Sequence, residues 1–350
     1  MASPPPPPPV LDVRSPPLQR WIRRSTRIPH HELLRRSAEL PPRTTAVTLL
    51  YDSGDAASAG VVAWLQQRLV VADADAAAGD ACWAALAARG HAVEVLEAPS
   101  DPGCEAAPSA LLWQASPALP AAAAAMLRAW GGAGGACARR WVLDAGAGSG
   151  RNAVALARAL ATVPVRIAAV DNRASLTARC RDFAARHGCG EAVVPVLARV
   201  EALWLSPSEG GGDGSDGDAP PKRFADFDAA LFMRFTHKPA LTALGEALHA
   251  LHSISGGGCS SDGDGGGCSP APFFLLVEGF HVSCAHPEKE AQKLREGEVL
   301  ALVSAPERGI DDKLSRWKVL FEKVRAIEDG RPSVTVLLQF DRRCAGGALQ

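Results

Sequence analysis

The sequence predicts an α/β protein: a doubly wound, mostly parallel sheet closed by an antiparallel hairpin, preceded by a smaller α/β domain. Three observations predict it. A hydrophobic strand ending in Val142-Leu143 runs straight into a glycine turn, Asp144-Ala145-Gly146-Ala147-Gly148-Ser149-Gly150. β-type runs then alternate with helical stretches. Further on, residues 317–327 and 333–340 are two more β-rich runs separated by Gly330-Arg331-Pro332, a hairpin signal.

The elements follow in order. After the glycine turn, residues 152–160 read as an Ala-rich helix. Glycine has no Cβ, so a ligand can approach this backbone closely. The free N–H groups and positive dipole end of the helix suit a carboxylate or a phosphate. Residues 165–171 (VRIAAVD) read as a second strand ending in an acid, and 172–187 as the next helix. Residues 192–197 (AVVPVL), 227–232 (FDAALF) and 273–278 (FFLLVE) read as the third, fourth and fifth strands.

The glycine spacing separates the ligand classes. A dinucleotide fingerprint needs G-x-G-x-x-G; here the third glycine falls one residue early and Arg151 stands in its place. The run Asp-x-Gly-x-Gly-x-Gly instead resembles motif I of the Rossmann-like (class I) S-adenosylmethionine-dependent methyltransferases. That resemblance implies a seven-stranded sheet with a terminal antiparallel hairpin, S-adenosyl-L-methionine as cofactor, and a loop (Asp144, Ala145, Gly146, Ala147, Gly148, Gly150) around its methionine half. Asp144 then faces the cofactor's ammonium group, as charge favours. Asp171, one strand–helix–strand unit later, accepts ribose hydroxyls beside Asn172, or else caps the following helix; the glycine loop upstream favours ribose. The family often sets an acid against the adenine at the third strand's end. Here that place reads Arg199-Val200-Glu201, so Val200 is left to give a backbone contact and Glu201 to replace the acid.

The resemblance spans residues 120–343. Within it, Arg234-Phe235-Thr236-His237-Lys238-Pro239, Glu278-Gly279-Phe280-His281 and Glu328-Asp329-Gly330-Arg331-Pro332 resemble small-molecule methyltransferases near the tellurite-resistance and thiopurine groups. Methyl transfer from a sulfonium is an in-line displacement, so alignment matters most. The place after the fourth strand reads Phe232-Met233-Arg234-Phe235, not Asn/Asp-Pro-Pro-aromatic, which disfavours amine methylation of DNA bases. Arg234 is a candidate for holding an anionic substrate and His237 for taking a proton; the plain alternative for each is a surface residue or a helix cap. Glu278, His281 and His286 follow the fifth strand, where this fold binds substrates.

The N-terminal stretch starts with six prolines, Pro4 to Pro9, a stiff tail within residues 1–10. Residues 11–97 resemble a rhodanese-like domain: Leu11-Asp12-Val13-Arg14, then Ile28-Pro29 and Glu39-Leu40-Pro41-Pro42, a strand at 46–51, a helix at 56–69 and a strand at 90–96. Sulfur transfer in that family needs a cysteine opening the active loop. The loop here, Tyr51-Asp52-Ser53-Gly54-Asp55, has none, and its acids repel an anionic sulfur. The expectation is the rhodanese-like fold without sulfurtransferase activity, the alternative being an unrelated small α/β domain; a protein partner for it belongs to the non-catalytic reading. A domain beginning at residue 11 leaves no room for a cleaved leader. The expected localisation is cytoplasmic; the Arg-rich segment 20–27 is the one feature that mimics a targeting helix.

Residues 98–120, rich in Ala, Pro and Ser, are the expected linker, and 121–344 the catalytic domain. Gly/Asp/Ser-rich stretches at 206–221 and 255–272 cannot bury enough apolar surface to order themselves and are expected as exposed insertions. The net charge of −1 and pI near 6.8 offer no field for nucleic acid. No apolar run reaches the ~18 residues of a membrane span. The nine cysteines lack a C-x-x-C pair, so no metal site is indicated; Cys180 and Cys189 are placed to pair, with buried free thiols the favoured alternative. The expected activity is methyl transfer to a small-molecule acceptor (EC 2.1.1.-). The competing readings are a non-catalytic cofactor-binding module, an RNA or protein methyltransferase, and a nicotinamide-dependent oxidoreductase that Arg151 disfavours.

Overall fold

A computed structural model of the chain describes residues 8–14, 20–22, 26–33, 35–41, 45–67, 70–75, 78, 80–89, 93–95, 113–131, 139–202, 220–221, 223–255, 271–285, 287–304, 316–327 and 330–342. The chain divides into two compact units, Met1–Gln114 and Ala115–Gln350. Most of the two expected insertions, and His286, lie outside the described residues.

The first unit carries β1 (Val10–Asp12), β2 (Arg20–Ile22), β3 (Thr26–Arg27), β4 (Ala46–Tyr51), α1 (Ala56–Gln66), β5 (Val70–Asp75), α2 (Asp80–Ala88) and β6 (Val93–Val95). Its sheet runs β3-β1-β4-β5, every pair parallel. Alternation along β1 explains its two cores. Leu11 and Val13 pack with Leu49, Val62 and Leu65 on the α1 side, while Val10 packs with Leu50, Cys82 and Leu86 on the α2 side. The strand at 70–75 and the helix at 80–88 were not read from the sequence. The expected last strand pairs with β2 in a separate two-stranded ribbon. Asp12 and Arg14 form a buried ion pair of 2.8 Å, and the Arg14 guanidinium lies 5.1 Å from the Trp83 ring centre.

The second unit opens with α3 (Leu119–Trp130), followed by β7 (Arg140–Ala145), α4 (Arg151–Ala159), β8 (Val165–Asp171), α5 (Ala174–Arg186), β9 (Val193–Leu197), β10 (Ala229–Met233), α6 (Lys238–Ser255), β11 (Phe273–His281), β12 (Lys293–Leu294), α7 (Glu298–Ser304), β13 (Trp317–Ala326) and β14 (Pro332–Phe340). The unit begins before the expected linker's end at 120: the Ser116 hydroxyl donates to Glu278 on β11 at 2.7 Å, and Leu119, Ala122, Ala123, Met126 and Trp130 bury one face of α3.

The sheet order is β13-β14-β11-β10-β7-β8-β9, with β12 added beside the far end of β11. β7 to β11 pair in parallel, and the β11–β14 and β13–β14 pairs are antiparallel. The protein is therefore mixed α/β with a mostly parallel sheet and a terminal antiparallel hairpin. β10 (AALFM) is buried along its whole length, as a central strand covered on both faces must be. Cys180 and Cys189 are buried and free rather than paired. Burial pushes the Cys180 thiol up to about 12, which leaves it protonated and inert. Among the described residues no helix is long and apolar enough to cross a membrane.

Candidate functional site

The chain leaves β7 toward β8 on one side, while β10 lies on the other. That reversal opens a crevice at the carboxyl ends of the strands, the place where open α/β sheets bind ligands. The glycine turn sits there. Gly146, Gly148 and Gly150 have φ of 68°, 59° and 81°, a region that disfavours any Cβ. Their surroundings differ. A Cβ on Gly146 would lie 2.5 Å from Cγ of Phe235, and one on Gly150 would collide with the Cys180 sulfur. A Cβ on Gly148 would meet nothing within 4 Å among the described residues. Two glycines thus seat the turn on its neighbours, and the middle one presents bare backbone to open space.

Two carboxylates flank the turn. Asp144 is 1% exposed. It accepts the Ala153 backbone N–H, yet its Oδ2 is buried with no hydrogen-bond partner among the described residues. Burial raises its pKa from 3.8 to about 7; the Ala153 bond opposes this and the nearby Asp171 charge adds to it. A buried carboxylate oxygen left unsatisfied is costly unless a ligand completes it. Asp171 accepts the Gly148 N–H on Oδ2 at 3.0 Å and the Arg173 N–H on Oδ1 at 2.9 Å. It therefore pins the glycine turn and fixes the short turn that leads into α5. A carboxylate offers about four lone-pair sites, so these two bonds leave acceptor capacity.

Of the other cofactor-side candidates, Ala145 is buried under the turn and Ala147 ties it to β8 through its N–H to the Val170 carbonyl, 2.9 Å. Asn172 is exposed beside Asp171. The Val200 side chain faces the core with Leu143, Ala145 and Val170.

The catalytic candidates all have structural partners. His237 accepts the Ala240 N–H on Nδ1 at 3.1 Å, capping α6, and its Nε2 lies 3.0 Å from Glu201. With Nδ1 accepting, Nε2 carries the ring proton toward Glu201. The residues after β9 and after β10 thus meet, although β7 and β8 lie between those strands. Arg234 is the one described non-glycine residue with positive φ, 57°. That corner lays Phe235 against Gly146 and brings the Arg234 Nε to 3.3 Å from Glu278 Oε1. Glu278, 1% exposed, also accepts from Ser116 at 2.7 Å and from Arg325 Nη2 at 2.9 Å on Oε2. The Ser116 N–H donates to Asn152 Oδ1 at the start of α4, 3.2 Å. His281 is held in a turn with Ser283, 2.8 Å from its hydroxyl. Ser116 and Arg325 were not read from the sequence, and Phe235 only as part of a motif without a role of its own. Only the fold brings Ser116 and Arg325 to Glu278, and no local spacing signals it. Among the described residues no three His, Cys, Asp or Glu side chains converge as a metal site.

No protein-family model matches the chain, and no curated protein matches its sequence. Solved structures match it at a distance. The O-methyltransferase TomG from Streptomyces achromogenes, involved in tomaymycin synthesis and solved with SAM, is 14% identical over 66% of this chain and 82% of its own, with a TM-score of 0.36. TehB from Haemophilus influenzae is 12% identical over 63% of this chain and 62% of its own, at 0.35. Cofactor-bound Rv0187 from MTB is 12% identical over 64% and 78%, also at 0.35. Likenesses this distant carry no functional inference, which rests on the geometry of the site.

Proposed function

We propose that the second unit binds S-adenosyl-L-methionine and transfers its methyl group to a small-molecule acceptor. The observation that carries this reading is the buried Oδ2 of Asp144, without a partner among the described residues, together with the open face of Gly148 on the same turn. A zwitterionic amino acid fits both features. The carboxylate would hold its ammonium group, and the positive dipole end of α4 would favour its carboxylate. Asp171, already aligned with the turn by the Gly148 N–H, has acceptor capacity for ribose hydroxyls. When bound, the cofactor supplies a methyl group on a sulfonium, a leaving group that needs no further activation. The chain's part is alignment and exclusion of water. Phe235 walls the crevice over Gly146. The Glu201–His237 pair joins the two loops beside it. His237 acts in this reading as a positioning residue, because both of its ring nitrogens are engaged.

For the first unit the reading is a rhodanese-like partner-binding domain without sulfur transfer. Asp52 Oδ1 accepts the Gly54 N–H at 3.0 Å and Asp55 Oδ1 the Ala57 N–H at 3.0 Å. The loop's own carboxylates thus take N–H groups that a sulfur anion would need.

Calorimetry of the full chain tests the cofactor reading. S-adenosylhomocysteine is expected to bind, NADH is not, and Asp171→Ala is expected to weaken binding by about 1–3 kcal/mol, the size of lost hydrogen bonds to a charged group. An unchanged dissociation constant removes Asp171 from the site, and absence of any binding sinks the reading. A radiolabelled methyl-release assay across acceptor pools then tests catalysis.

A further inference from the structure

The cluster around Glu278 lies beside the crevice and is not used by the cofactor reading. Glu278 is the sheet partner of Met233, on the same carboxyl edge as the glycine turn. Ser116 links it to Asn152, the second residue of the helix that leaves that turn. Two guanidiniums share this one carboxylate: Arg234 Nε at 3.3 Å on Oε1, and Arg325 Nη2 at 2.9 Å on Oε2. The three groups together carry one net positive charge. The partners differ in exposure: the Glu278 side chain is 1% exposed, against 36% for Arg234 and 28% for Arg325. The anion is therefore sunk in the protein and the excess cation faces solvent.

Two further features mark the cluster as more than a strand-to-strand brace. Arg325 Nε is buried and has no hydrogen-bond partner among the described residues, so one donor of this guanidinium stands unused. Arg234 is held with φ of 57°, a conformation that disfavours a bulky side chain. Such strain persists only where the surroundings enforce it, and it gathers at ligand clamps. Here the Arg234 N–H donates to the Glu278 carbonyl at 2.6 Å, so the same residue that anchors the guanidinium also fixes the strained corner. A planar guanidinium matches a carboxylate through paired hydrogen bonds.

We propose that Arg234 and Arg325 anchor a carboxylate group of the methyl acceptor, with Glu278 as the buried counter-charge that holds both guanidiniums at the crevice. The acceptor class is thus a small carboxylic acid. The inference rests on the cofactor reading for its placement, and its test reads binding separately from it.

The full chain is titrated calorimetrically with acetate, benzoate and phenylacetate and with the three corresponding amides, each with and without saturating S-adenosylhomocysteine. At least one acid is expected to bind ten-fold or more tighter than its amide. Arg325→Gln is expected to weaken that acid ten-fold or more while leaving the amide and S-adenosylhomocysteine within two-fold. Glu278→Gln removes the competing negative charge and is expected to tighten acid binding three-fold or more, whereas a purely structural brace predicts no gain. Should no acid outbind its amide, or should acid binding be unchanged in both variants, the proposal is overturned. If S-adenosylhomocysteine fails to bind while an acid still outbinds its amide, the cofactor reading falls and the carboxylate site stands.

Discussion

Asp144 was legible from sequence as an acid at a strand end, but its ionisation state was not. Motif spacing gives a position; burial gives the charge. With a ligand-free value near 7 against 3.8 in the unfolded chain, the folded protein binds more protons between those values. Its contribution to stability is complete below about pH 4 and is lost as the pH rises through 7. From pH 6 to 8 this residue alone is expected to cost about 1 kcal/mol of unfolding free energy. Denaturant titrations at the two pH values check it, because Asp144→Asn removes that part of the drop. A cationic ammonium group at Oδ2 favours the ionised form. Cofactor binding at pH 6 is therefore expected to release close to one proton and at pH 8 almost none. Calorimetry in buffers of different ionisation enthalpy reads this directly. The Glu278 cluster was illegible for a different reason: Ser116 is 162 residues away from Glu278 along the chain, and no local pattern encodes a contact at that separation.

At the scale of elements, the strands were the readable part. β7, β8, β11, β13 and β14 were read within a few residues, because β-branched runs bounded by glycine or proline leave few alternatives. Helices were read less well. α3 was passed over because its alanine run continues the Ala/Pro/Ser composition of the preceding stretch, and only its buried face distinguishes it. β12 is two residues long and exists through its pairing with Phe280 and His281, which no propensity foretells. Gly245 in α6 shows tertiary packing overriding propensity. Alanine is the better helix former by about 1 kcal/mol, yet a Cβ at 245 would strike the Val303 carbonyl oxygen of α7. That atom is backbone and cannot swing aside. Gly245→Ala is expected to destabilise the protein by about 1–3 kcal/mol, as overpacking does. An unchanged denaturation midpoint would show that the two helices can separate at no cost.

Over the whole molecule, each unit has its own closed hydrophobic cluster, so two unfolding transitions are expected and one melting temperature would not describe the chain. A fragment starting at Ala115 is expected to bind S-adenosylhomocysteine within two-fold of the full chain. One starting at Ala121 lacks Ser116 and leaves a buried Glu278 oxygen short of a donor, which is expected to cost about 1–3 kcal/mol of stability. Equal stability of the two fragments would place the boundary at the composition change rather than at the hydrogen bond. The sheet order has one more consequence. Among the described strands β14 comes last along the chain, yet it lies inside the sheet between β11 and β13. While the polypeptide is still being made, β13 has nothing to pair with and one side of β11 stays open. The ribosome must deliver residue 340 before this sheet can close, so the native state of the second unit is reached after synthesis of its final strand and not progressively during it.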